Sequence, residues 1–522
     1  MNSLSKQHGF TMVAVMVTML VTGLLGMAAF AAVNGDLPFS RDSKDRKLAY
    51  GAAEAGLNYY LFQLNRDFDY WSKCDTGPPP SASEPNPVNQ AWNGSGTDPR
   101  RFRKVQGGKA EYAVEMMPAN GSASCVVGND NSVIDNASST FSLRTTGKSG
   151  DVKRSVAATL RRKSFLDYLY FTDFETLDPK AYQSTSDQTD AANNCAQPRA
   201  GRDAQSVINC SEIIFQDQDV VNGPLHTNDD LLTCGTPVFG RNVNDRIEVV
   251  GPTPGIAPSG GSCPAGGPVM NGTFAFGAQA MLMPLTAQPL QSIAMAGYLF
   301  TGKTTIVLNG LNMDVTNANV IGNNGITPNT PKTMPLPPNG VIYVTQSSCS
   351  YSVSPAVANY AEPPECATLY VRGTYGANLT LASKNDVIIN GDINATNGAV
   401  GGIIADNFVR VYHPVSRDGS GNCISSSGGT GNRRIDAAIV SLLHSFIVDN
   451  WNCGVHVGTL TVKGAIAQKF RGPVGLVGST SPGYLKDYQY DDRFRYRSPP
   501  FFIEPVAAAW RVLRTNEQVP AR

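Results

Sequence analysis

FTMVAVMVTMLVTGLLGMAAFAAV, Phe10 to Val33, is a run of 24 residues without a charge. As a helix rising about 1.5 Å per residue it reaches about 36 Å, enough for a hydrocarbon core of about 30 Å. A secretory signal peptide has an apolar region of only about 7–15 residues. The run is therefore read as a retained, single-pass membrane helix with the bulk of the chain outside. Ala29-Phe30-Ala31 offers the competing reading of an A-x-A cleavage site. Upstream, MNSLSKQHG (residues 1–9) carries one firm positive charge, Lys6.

The sequence beyond Val33 favours retention. Charges follow at Asp36, Arg41, Asp42, Lys44, Asp45, Arg46 and Lys47, and then LAYGAAEAGLNYYLFQL turns periodic. Leu48, Ala52, Ala55, Tyr59 and Phe62 recur at helical spacing, and Leu57, Leu61, Leu64 and Phe68 form a second stripe. The pattern predicts one long helix from about Phe10 to Tyr70, apolar and then amphipathic over 34–72. Pro38 is expected to kink or interrupt it.

The stretch KQHGFTMVAV resembles the class III leader of type IV prepilins. AYGAAEAGLNYYLFQL and RRKSFLDYLYFTDFETLDP (161–179) resemble PilX-like minor pilins. That resemblance implies a leader (1–9) cut between Gly9 and Phe10 by a prepilin peptidase. It also implies a helix that serves first as membrane anchor and then as filament core among other pilins. One departure carries information. Major pilins have a Glu where this chain has Ala14, and that Glu pairs with a neighbouring subunit's free amine. Ala14 cannot make the pairing, which suits a minor or tip subunit; it also reads as an ordinary membrane-helix residue.

The remaining chain reads as mostly β. It has 522 residues, room for about three domains of about 150 residues each. Charged residues are 16%, against about 25% in typical soluble domains, while Gly counts 51 and Pro 34. Lys+Arg and Asp+Glu balance at 42 each, so nothing points to nucleic acid. Residues 77–98 read as a Pro-, Ser- and Gly-rich linker. KAEYAVEMM, STFSLRTTG and VKRSVAATL read as strands of a small pilin-like sheet over 73–163.

From 164 to 505 short apolar runs alternate with turns: TTIVLNG (304–310), GVIYVTQ (340–346), TLYVRG (368–373), NLTLA (378–382), DVIING (386–391), NFVRVYH (407–413) and TLTVKG (459–464). NGPL, NGTF, NGDI and KGAI recur where one run ends and the next begins. This suits a β-solenoid, or β-helix, whose courses bury their faces only against neighbours. Without a strict period, a β-sandwich stays open. A short helix is expected near Val506–Arg514 in the C-terminal tail, 506–522. The fold class is thus α+β, mostly β.

The ten cysteines are Cys74, Cys125, Cys195, Cys210, Cys234, Cys263, Cys349, Cys366, Cys423 and Cys453. No C-x-x-C pair occurs among them, so zinc is not indicated, and an even number in an exported chain reads as disulfides. Cys195–Cys210 and Cys349–Cys366 are the local pairs expected first.

No cofactor, no metal site and no catalytic residue is expected. Gly297–Thr304 satisfies G-x-x-x-x-G-K-T, but Tyr298, Leu299 and Phe300 fill the loop and TTIVLNG follows, a strand where a phosphate loop needs a helix. His226 beside Asp229 and Asp230 reads as a polar turn before it reads as a metal or acid–base site. Asp173, Glu175 and Asp178 likewise read as a solvated turn rather than a cation site. Asp229, Asp230, Asp386 and Asp392 would serve a polysaccharide-active enzyme only if they converged in one groove. Together with the resemblance, these readings predict a minor or tip subunit of a type IV pilus, or of a secretion pseudopilus. It would sit in the cytoplasmic membrane and then at the surface, offering its β domain to a surface or polysaccharide ligand.

Overall fold

The computed structural model describes residues 10–67, 70, 102–119, 133–135, 140–199, 202, 208, 210–217, 219–252, 255–258, 266–319, 326–352, 354–426, 431–476, 481–506 and 510–521, with backbone alone at 10, 11, 29 and 31–40. The leader and the 77–98 linker lie outside them. The chain forms two compact units. One holds Met1–Ile134, Thr140–Arg161 and Trp510–Arg522; the other holds Asp135–Ser139 and Arg162–Ala509.

In the first unit, helix α1 runs unbroken from Phe10 to Arg66. The expected interruption at Pro38 is absent. A proline removes one intrahelical bond, and the bonds on either side keep the helix going. Among the described residues no helix is long and apolar enough to cross a membrane.

The lower half of α1 packs on an antiparallel sheet: β1 (Arg103–Lys104), β2 (Glu111–Met117), β3 (Thr140–Ser149), β4 (Val152–Arg162) and the C-terminal strand Trp510–Gln518, in that order. The buried stripe of the helix is Ala49, Ala52, Ala53, Leu57, Tyr60 and Leu64, whereas Leu48 and Phe62 of the expected stripes are exposed. Small residues choose the face. A side chain at Gly147 of β3 would collide with the backbone of Ala49 and Ala53, and one at Gly56 would lie 2.7 Å from the Tyr112 ring. Further down, Tyr60 meets Phe141 edge-on at 6.2 Å, and Phe141 meets Trp510 at 4.8 Å. The tail is thus a strand where a helix was expected. Trp510 and Val512 alternate toward the core, the period of a strand.

Among the described residues the second unit is dominated by one curled sheet of 22 strands, nearly all of whose neighbours are parallel. Each apolar run quoted above lies in a strand. A first ladder stacks Leu299–Thr301, Val341–Thr345, Leu379–Ser383, Gly401–Ala405, Ala438–Ser441 and the second half of His456–Phe470. It continues with Tyr170–Phe174, Leu225–Thr227, Arg246–Val249 and Thr273–Ala275. A second ladder runs alongside, from Thr304–Gly310 through Leu369–Tyr375 and Val387–Ala395 to Gly483–Tyr490, Val220–Asn222 and Val269–Met270. Sandwiches are built from antiparallel neighbours, so the sandwich alternative does not fit this pairing.

The core is a set of aligned columns. Ile342, Leu381, Ile403, Ile439 and Ile466 follow one another in register and are almost fully buried. Each such side chain contributes about 1.5–3 kcal/mol relative to exposure. Two of the four short repeats prove not to be turns: NGDI and KGAI lie inside the continuous strands Val387–Ala395 and His456–Phe470. Glycine is needed at the second because a Cβ on Gly464 would collide with the Ala437 carbonyl.

Chain order and stacking order differ. The chain enters mid-stack at Tyr170–Phe174 and proceeds to Thr273–Ala275 at one end. Residues 276–298 then lead to the opposite end, and the chain stacks back until His456–Phe470 meets Tyr170–Phe174 again. The connecting segment is pinned as it goes. Asn228 accepts from Met281 N at 3.0 Å, Asp406 accepts from Thr286 Oγ1 at 2.6 Å, and Asn339 donates to Ile293 O at 2.8 Å.

Candidate functional site

The upper half of α1 is the candidate site, because among the described residues nothing covers its apolar side chains. Met12 is 70% exposed, Met19 70% and Leu25 64%, with Val13, Met16, Val17, Leu20, Leu24 and Met27 all similarly open. Leaving that much contiguous apolar surface in water is unfavourable at about 25 cal/mol per Å². The two hydroxyls in the stretch are turned inward along the helix. Thr18 Oγ1 donates to Ala14 O at 2.9 Å and Thr22 Oγ1 to Thr18 O at 2.7 Å. Back-bonding of this kind satisfies the polar groups locally, so the surface is suited to lipid or to another apolar helix. Ala14 is part of it and adds no charge.

The other sequence candidates are dispersed. After Gly302, in the left-handed region at φ 81°, the chain goes straight into the strand Thr304–Gly310. Lys303 Nζ is engaged by Glu362 at 3.4 Å and lies 5.1 Å from the Tyr370 ring centre. A strand thus stands where a phosphate cradle needs a helix start.

His226 is buried, with Nδ1 3.1 Å from Glu248 Oε2 and Nε2 3.1 Å from Asn228 Oδ1. Glu248 also accepts from Lys163 at 2.8 Å and from Tyr168 at 2.5 Å. Burial would raise the Glu248 carboxyl, but these hydrogen bonds outweigh it and hold the group well below the usual carboxylate range. Asp229 turns away from His226 and pairs with Arg202.

Asp173, Glu175 and Asp178 also go to separate partners: Asn228, Arg471 and His444. They are not a solvated turn, since Glu175 and Asp178 are fully buried. Asp386 pairs with Arg410 at 3.0 Å and Asp392 with Arg433 at 3.5 Å, each with its own basic partner. Among the described residues no three His, Cys, Asp or Glu side chains are placed to hold a metal ion.

Three disulfides are described: Cys195–Cys210, Cys349–Cys366 and Cys423–Cys453. Cys234 is also disulfide-bonded. Cys74, Cys125 and Cys263 lie outside the described residues, as does Gly9 of the cleavage site; Phe10 is the first residue of α1.

The sequence did not single out the buried cluster around Arg410. That side chain reaches Glu362 at 3.5 Å, Asp386 at 3.0 Å and Asp449 at 2.7 Å. Burial pushes Asp449 up to about 6, against the opposing pull of Arg410. The arrangement ties Glu362 and Asp449, from two separate connections, to the strand Val409–Val411 that carries Arg410.

Residues 4–30 match the prokaryotic N-terminal methylation motif. The match runs from within the expected leader through most of the exposed apolar stretch. The chain therefore carries a prepilin-type N-terminus, which implies processing by a prepilin peptidase and assembly with other pilins in a type IV pilus-like system. Among solved structures it is similar to the competence-associated pilin ComZ from Thermus thermophilus, at 12% identity over 92% of this chain and 98% of that one, with a TM-score of 0.27. No curated protein matches the chain.

Proposed function

We propose that this chain is a minor subunit of a type IV pilus, cut between Gly9 and Phe10, and placed at or near the filament tip. In this reading the Phe10–Val33 helix first anchors the protein in the cytoplasmic membrane and then packs among the helices of other pilins. The β unit, wound as a solenoid of parallel courses, is displayed outside to meet a surface or polysaccharide or to prime assembly. It is not an enzyme in this reading: Glu175, Asp178, Asp229 and Asp386 each face a basic partner of their own rather than one shared groove. The observation that carries the proposal is the coincidence of the methylation motif with an uncovered apolar helix surface. Ala14 supports the tip position, since a subunit with nothing to pair above it has no use for the acid.

Sheared filaments test this. The protein should co-purify with them from normal cells and stay in the membrane fraction of cells lacking prepilin peptidase. Equal recovery in sheared material from both strains would refute the assignment. The one other reading with its own support is the tip subunit of a secretion pseudopilus, which Ala14 fits equally well.

A further inference from the structure

The stack contains a place where its first and last courses meet, and the side chains there differ from those above and below. Along the first ladder the column reads Ile403, Ile439, Ile466, then Tyr170, then Leu225 and Ile247. Along the second it reads Ile435, Val462, Tyr488 and Val221. Tyr170 and Tyr488 interrupt two aliphatic columns at the same level. Lys486, in register with the buried Leu460, brings an ammonium to a position that is aliphatic in the neighbouring course.

The polar groups at this seam pair across it. Lys486 Nζ donates to Asp219 at 2.9 Å, Arg471 Nη1 to Glu175 at 3.2 Å, Gln468 Nε2 to Tyr170 at 3.0 Å and Tyr490 OH to Leu166 O at 2.6 Å. A cleft opens at the same level, lined by Tyr170, Phe215, Asp219, Arg471, Lys486 and Tyr488. Burial lowers the Lys486 amine below its ordinary value although Asp219 opposes the shift.

We propose that this seam is a built-in opening joint, at which the first and last courses part while the rest of the stack stays paired. Two physical terms converge on it. Ion pairs drawn out of water, as Arg471–Glu175 is, return little net stability after desolvation, whereas the aliphatic columns return the transfer energy of their side chains. The cleft leaves the side chains that line it short of packing partners on one side. Parting would present two unpaired parallel edges, which are ready acceptors for another strand. The inference concerns the β unit and stands whether or not the pilus assignment does.

Hydrogen exchange on the full-length, detergent-solubilised protein is the test. Amides of Tyr170–Phe174, Val220–Asn222 and Gly483–Tyr490 should exchange together, about tenfold or more faster than those of Gly401–Ala405 and Ala438–Ser441. Seam amides that exchange as slowly as these would overturn the proposal. A second arm replaces the ion pair with apolar groups, Lys486→Met with Asp219→Leu. Slower exchange confined to the seam is expected, and unchanged seam rates in the folded double variant would overturn the joint as well.

Discussion

Gly147 shows how one residue positions α1. With no Cβ it lets the backbone of Ala49 and Ala53 lie directly on β3. Gly147→Val should lift the helix and cost about 1–3 kcal/mol or more through overpacking, read as a lower unfolding midpoint of the full-length protein. Trp510 is the complementary case. Trp510→Ala should lose about 3–5 kcal/mol because the ring is buried against Phe141, and the same midpoint measures it.

Asp449 makes stability depend on pH. Its folded pKa, about 6, lies above the ordinary carboxylate value of 3.8. The resulting stability is fully present below the unfolded pKa and is lost as pH rises through the folded one. Asp449→Asn should therefore be less sensitive than the unchanged protein between pH 5 and 7 in denaturant titrations. A wider pH difference in the variant would contradict this.

Among the elements, those with a strong local pattern were legible in the sequence. The uncharged run and the Leu-rich stripes predict α1, and the β-branched runs predict the strands of the large sheet. What misled was local pattern decided by tertiary contact. The helix buries the face that carries Ala49, Ala53 and Gly56 rather than the one carrying Leu48 and Phe62, because the sheet approaches too closely for large side chains. The tail carries alternation too short to be told from a helix until β4 supplies its neighbour. Removing residues 510–522 should leave β4 as an open edge and strip Trp510 from the core. The expected outcome is a sharp fall in protease resistance over 140–162, with the disulfide-bearing β unit still folded.

The candidate surface was legible for the same reason as α1: 24 consecutive uncharged residues need a cover wherever they are. The acids that the sequence left open, Asp173, Glu175, Asp178, Asp229 and Asp386, could not be sorted without the fold. Their partners Arg471, His444, Arg202 and Arg410 come from distant parts of the chain.

At the scale of the whole molecule, the chain leaves the small sheet at β4, builds the entire β unit and returns to the same sheet as its last strand. The β unit is thus an insertion in the chain of the first unit. The most direct test is the mass and sequence of the N-terminus of protein isolated from its own cells. The account predicts a mature chain that begins at Phe10 with a methylated amine. A chain that begins at Ala32, or an anchored form that retains residues 1–9, would contradict it.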